Sequence, residues 1–195
     1  MTSLSIEQFK AFQDSKSQLL DCRPTNVFAS SFISNSINAS LNGSFEYMAS
    51  CVFQKTKPLV IICEEGKEGE AFLRLESEGF KDISTFNFEI WKKGGGQTSA
   101  IVRYLASEAQ KHVDSMKDVS NAEDWKVLHV KGTSSVPLID LISDFSLVSE
   151  GDVLYCGNGH KSMAAASFLK IKGVNVTDII GGLSAMLVEA PDLEI

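Results

Sequence analysis

"VLYCGNGHKS", Val153–Ser162, is the stretch on which the reading of this chain turns. A short apolar strand runs into a cysteine. Two glycines, His160, Lys161 and Ser162 follow, and then the small-residue run "MAAASFLKIKG". The grammar is strand, tight loop, helix. In an open α/β sheet the corner between a strand's C-terminal end and a helix N-terminus is where ligands bind. Unpartnered backbone N–H groups and the positive end of the helix dipole meet there. A cysteine in such a cradle is favoured as a thiolate. Glycines at 157 and 159 let the backbone curl so that its N–H groups converge on the sulfur or on a bound anion. Lys161 adds positive charge, and the Ser162 hydroxyl can donate or cap the helix. Cys156 is therefore the candidate nucleophile. Gly157, Asn158, Gly159, His160, Lys161 and Ser162 form the candidate substrate-binding loop, with His160 as ligand-facing polarity rather than a general base.

The same grammar occurs earlier. "PLVIIC", residues 58–63, is a continuous apolar run of the kind found in a buried parallel strand. It too ends in a cysteine, Cys63, followed by a glycine-bearing loop, the helix-like "GEAFLRLESEGF" and the strand-like "DISTFN". Cys63 to Gly79 spans 16 positions and Cys156 to Gly173 spans 17, so the two stretches read as copies of one unit. The Cys63 loop differs in charge: Glu64, Glu65, Glu68 and Glu70 crowd the thiol and repel anions. Cys63 thus reads as a degenerate second site. Cys22 and Cys51 read as packing residues.

Strands alternating with helices predict an α/β fold with parallel sheets flanked by helices. At 195 residues the chain has room for two small domains. "GGGQTS", residues 94–99, reads as a flexible break. The expected division is a first domain over 1–96, a linker and helix over 97–122, and a shortened second domain over 123–195 whose first strand is "DWKVLHVKG". A net charge of −7 with no basic patch excludes a nucleic-acid partner. No run approaches the roughly 18 apolar residues of a membrane helix, and "MTSLSIEQFKAF" has no cationic, apolar leader. These features predict no membrane partner and a cytoplasmic location. The four cysteines lack C-x-x-C spacing, which predicts free thiols and no metal site.

The motifs resemble those of the rhodanese (sulfurtransferase) superfamily. "LLDCRPTNVFASSFISNSIN" is similar to the family's Asp/Arg strand and the segment after it, with the usual glycines and histidine of that segment replaced. "CEEGKEGE" departs from the family's C-x-x-G-x-R-S, with Glu68 at the arginine position. "CGNGHKS" matches that motif with Lys161 for the arginine. "IIGGLSAM" resembles the family's Gly-Gly-x-x-Ala-Trp segment, keeping Gly181, Gly182 and Ala185 with Met186 for the tryptophan. In this alignment His129 and Lys131 fall where the second copy's Asp and Arg belong. The resemblance implies tandem rhodanese-like domains, both degenerate, with the second truncated and carrying the active loop. It implies a sulfurtransferase or persulfide carrier. Cys156 would take a sulfane sulfur from thiosulfate or a low-molecular-weight persulfide and pass it to cyanide or a thiol, including a protein thiol, with no cofactor. The alternative from the same residues is a non-catalytic binding or regulatory module, because lysine cannot reproduce arginine's fork. A dual-specificity cysteine phosphatase is disfavoured, since its loop is longer and carries arginine.

Overall fold

The computed structural model describes residues 2–14 and 17–195. They form two compact units, Met1–Ala100 and Ile101–Ile195. The first contains β1 (Thr2–Ser3), α1 (Ile6–Asp14), β2 (Gln18–Asp21), α2 (Thr25–Ser30), β3 (Phe32–Ile33), β4 (Ile37–Asn38), α3 (Phe45–Val52), β5 (Leu59–Cys63), α4 (Glu68–Ser77), β6 (Ile83–Asn87), α5 (Phe88–Lys93) and β7 (Thr98–Ser99). The second contains β8 (Arg103–Tyr104), a 3-10 helix (Ala106–Ser115), β9 (Met116–Asp118), α6 (Ala122–Val127), β10 (Ser134–Ser135), α7 (Leu138–Ser143), β11 (Val153–Tyr155), α8 (His160–Ile171), β12 (Thr177–Ile179) and α9 (Gly182–Glu189).

Each unit holds a five-stranded, wholly parallel sheet. The orders are β1-β6-β5-β2-β4 and β8-β12-β11-β9-β10, the same order strand for strand. The repeat inferred from two cysteine corners therefore extends over the whole of both five-stranded sheets, while the antiparallel β3–β7 pair belongs to the first unit. In each, the strand that leads to the corner cysteine, β5 or β11, sits at the centre of the sheet. β5 is buried along its full length, as its unbroken apolar run requires. Its residues Val60 and Ile62 pack with Phe9, Phe86 and Trp91, and the Phe9 and Phe86 rings stack at 3.8 Å. In the second unit Tyr155 and Val153 pack with Ala106, Ala109, Met116, Ile179 and Met186. Among the described residues no helix is long and apolar enough to cross a membrane.

Three expectations are corrected. The segment 97–122 is no linker: it supplies β7 to the first unit, and β8, the 3-10 helix and β9 to the second. The burial of Ala106, Ala109 and Met116 in the second core explains why this polar-looking stretch is built in. Nor is 94–99 a free hinge. A side chain at Gly94 would meet Ile6 Cδ1 at 2.7 Å, one at Gly96 would overlap the Trp91 indole, and Thr98 and Ser99 pair with Ile33 and Phe32.

The third correction concerns the front of the second unit. "DWKVLHVKG" is not a strand. Ala122–Val127 is helical, and Val127 points into solvent. The strand is "MKD", and Asp118 is the counterpart of Asp21. The Asp21 carboxylate accepts the Arg23 N–H at 3.1 Å, and the Asp118 carboxylate accepts the Ser120 N–H at 2.8 Å. His129 instead stacks on Trp125 and Lys131 pairs with Glu194. Asp21 to Cys63 covers 42 positions and Asp118 to Cys156 covers 38, so the second unit is only slightly shortened.

Candidate active site

Cys156 follows β11 directly and is 1% exposed. The chain then turns through Gly157 and Asn158, both exposed, and enters α8 through Gly159, whose φ of +83° requires glycine. This turn aims the Gly159 N–H at the Cys156 sulfur, 3.2 Å away. From the other side the thiol donates to Ser162 Oγ at 3.7 Å, one turn into the helix and fully buried. That hydroxyl in turn donates to the buried Asp178 carboxylate behind it. The His160 N–H is directed at Asn158 Oδ1 at 3.4 Å. Burial holds the His160 imidazole below its usual range, so the ring is neutral at physiological pH and is no cation for the sulfur. The Lys161 ammonium lies 3.5 Å from the Asp124 carboxylate of α6.

The loop rests on a floor of glycine. Leu183 N–H donates to the Cys156 carbonyl at 2.8 Å, and Ser184 donates twice to the Gly157 carbonyl, from N–H at 2.9 Å and Oγ at 2.8 Å. Such contact is possible because Gly181 and Gly182 have no side chains. A Cβ on Gly182 would overlap the Cys156 carbonyl oxygen and sit 2.8 Å from the Gly159 nitrogen. "IIGG" is therefore part of the site, although the sequence alone gives it no place among the site residues.

Behind Ser162 lies a buried ion pair that the sequence motifs do not announce. The Arg103 Nε–H donates to Asp178 Oδ2 at 2.7 Å, with Asp178 fully buried. An acid inside the apolar strand "TDII" and an arginine inside "IVRYL" are its signal. Burial raises the Asp178 carboxyl to about 6, with Arg103 and the Ser162 hydroxyl pulling the other way. A raised carboxyl binds its proton more tightly in the folded than in the unfolded state. Stability therefore falls as pH rises from the ordinary value toward 6, by about 3 kcal/mol in all. Urea titrations of the chain between pH 4 and 6 are expected to show this downward slope in the transition of the second unit, and Asp178→Asn to remove most of it.

The corresponding corner of the first unit is built differently. Cys63 is joined to Cys22 in a disulfide, with Cα atoms 5.1 Å apart. This corrects the expectation of free thiols and of Cys22 as a packing residue. Cys22 directly follows β2, the neighbour of β5, so parallel pairing brings the two strand ends together. The Gly66 N–H, three residues after Cys63 as Gly159 is after Cys156, donates to the Glu68 carboxylate at 2.8 Å instead of to sulfur. Arg23 grips Asp21 through both carboxylate oxygens, at 2.9 and 2.7 Å, and its guanidinium lies 3.7 Å over the Phe88 ring. Burial holds the Asp21 carboxyl above its ordinary value against the pull of that guanidinium.

Comparison with known proteins gives this arrangement a context. The curated thiosulfate sulfurtransferase GlpE of Pseudomonas savastanoi is 28% identical over 89 residues, covering 44% of this chain and 82% of the relative. The thiosulfate sulfurtransferase structure from Pseudomonas aeruginosa is similar over 96% of this chain, at 17% identity and a TM-score of 0.46, and this chain spans 42% of it. A rhodanese-related protein from Thermoplasma volcanium is similar over 45% of this chain and 92% of its own, at 20% identity and a TM-score of 0.41. The Rhodanese-like domain family matches twice, at residues 5–88 and 103–189, the two units just described. With both halves matched, the chain belongs to the rhodanese family and carries its domain in tandem.

Proposed function

We propose that the chain is a sulfurtransferase or persulfide carrier acting through Cys156. The observation that carries this reading is the Gly159 N–H directed at the Cys156 sulfur from a loop braced on Gly181 and Gly182. A thiolate there attacks the outer sulfur of thiosulfate. The new S–S bond forms as the old one breaks, and sulfite leaves with the electron pair. The persulfide then gives its outer sulfur to cyanide or a thiolate, which restores the Cys156 thiolate. Two easy displacements replace one difficult transfer. The Gly159 N–H acts as a fixed donor to the charge on sulfur, in the manner of an oxyanion hole. The partners of the chain in this reading are small sulfur compounds or a protein thiol, and the setting is the cytoplasm.

The test is intact-mass and peptide mass spectrometry after incubation with thiosulfate or glutathione persulfide. The expected result is a gain of one sulfur atom on the peptide containing Cys156, removed by cyanide. A chain that gains no sulfur at Cys156 from either donor is the non-catalytic module instead.

A further inference from the structure

We propose that Cys22 and Cys63 form a second, separate redox centre that reduces a hydropersulfide to sulfide, with Cys22 as a resolving thiol that the second unit lacks. The proposal goes beyond the Cys156 reading and does not depend on it.

The two units can be compared position by position. Cys22 N–H donates to the Ile62 carbonyl at 2.8 Å, and Val119 N–H donates to the Tyr155 carbonyl at 2.9 Å. Ile62 and Tyr155 each precede the corner cysteine, so Val119 occupies the place of Cys22. Cys63 has a thiol partner one strand away, whereas Cys156 has a buried valine at that place and is a free cysteine. A sulfur placed on Cys156 meets no internal nucleophile at this position. A sulfur placed on Cys63 meets one already within disulfide range.

Both cysteines are buried, and each borders a cavity of its own. Cys63 borders a pocket of about 460 Å³, lined also by Arg23, Val27, Glu64, Phe88 and Lys93. Cys22 borders a separate, smaller cleft with Pro24, Asn42 and Lys67. The carboxylates of the Cys63 loop disfavour a dianion such as thiosulfate and leave a small hydropersulfide as the suitable donor. In a reducing compartment a disulfide that forms is usually transient and catalytic rather than structural.

The chemistry balances. The Cys63 thiolate attacks the outer sulfur of R–S–SH, and RSH leaves, giving Cys63–S–SH. The Cys22 thiolate then attacks Cys63 Sγ. The bond between the two sulfurs of the persulfide breaks and HS⁻ departs with its electrons. The sulfane sulfur is reduced to sulfide, and the two thiols are oxidised to the disulfide. Their two protons end on RSH and H₂S together with the donor's own. A dithiol reductant returns the pair to its starting state.

The experiment uses the full chain with Cys51 and Cys156 replaced by serine, reduced, freed of reductant and given one equivalent of cysteine hydropersulfide. Because the Cys156 thiol is removed, a failure of the Cys156 reading leaves this assay unaffected. The expected result is one sulfide released per chain and a peptide crosslinked through Cys22 and Cys63. Cys22→Val, the residue type found at that place in the second unit, is expected to slow sulfide release at least tenfold and to leave one added sulfur on Cys63. Cys22→Ser serves the same purpose if valine disturbs folding. The proposal is overturned if Cys22→Val or Cys22→Ser releases sulfide at the parent rate with a cysteinyl group on Cys63. It is equally overturned if the parent keeps a stable added sulfur or fails to react.

Discussion

Cys156→Ser is expected to abolish transfer of sulfur from thiosulfate to cyanide, a loss of at least about 1,000-fold, because the carboxylates beside Cys63 repel this dianion and leave it Cys156 as its nucleophile. Cys63→Ser is expected to retain most of the activity. The contrast follows from the two loops. The Gly159 N–H serves the sulfur of Cys156, whereas the matching Gly66 N–H is taken by Glu68 and Cys63 is tied to Cys22. Serine differs from cysteine by one atom and fits the same buried space, so the loss would report chemistry rather than folding. Thiocyanate production by both variants is the measurement. Equal losses would contradict the assignment of thiosulfate chemistry to the second unit.

Gly182→Ala is expected to have the next largest effect, and to act through shape. Gly182 has a φ of +59°, where a side chain is strained, and its added Cβ would overlap the Cys156 carbonyl. Strain and overpacking together cost about 2–5 kcal/mol. The cost is met where it matters, because the Cys156–Gly159 backbone must move off its floor. A shift of about 1 Å at a reacting group costs on the order of 100-fold in rate. Gly157→Ala provides the control for stability. It has open space around its Cα and no positive φ, so its unfolding midpoint is expected to match the parent's. Thermal unfolding and thiosulfate turnover of the two variants separate these outcomes. A Gly182→Ala chain that folds and turns over like the parent would show that the glycine floor does not hold the loop.

The strand–cysteine–loop–helix corners are legible in the sequence because each is local: an apolar run, a turn and a small-residue helix lie within about 20 residues of one another. The front of the second unit is not. Its strand is three residues long, and only Met116 in it is a large apolar residue, while "VLHV" offers a stronger alternation that the fold spends on the end of a helix and a turn. What specifies "MKD" as a strand is pairing to β11 on one side and β10 on the other, which is information from distant parts of the chain. The Cys22–Cys63 pair is hidden for the same reason. Forty-one positions separate the two residues, and only the adjacency of β2 and β5 brings them together. Asp178 and Arg103 likewise meet only through the β12–β8 pairing, 75 positions apart. The Lys161 charge is visible in the sequence, but its Asp124 partner lies at the start of the stretch that reads as a strand and folds as a helix.

Glu68, finally, behaves as a ligand that the first unit carries with it. Its carboxylate is attached two residues from the N–H group it occupies, so it competes at a fixed local concentration instead of a bulk one. For a short tether that concentration is on the order of millimolar or more. A free anion of similar intrinsic affinity present at micromolar levels cannot displace it. Selection against oxyanions in the first unit is thus set by a tethered competitor, and it holds against free anions of similar intrinsic affinity up to that level.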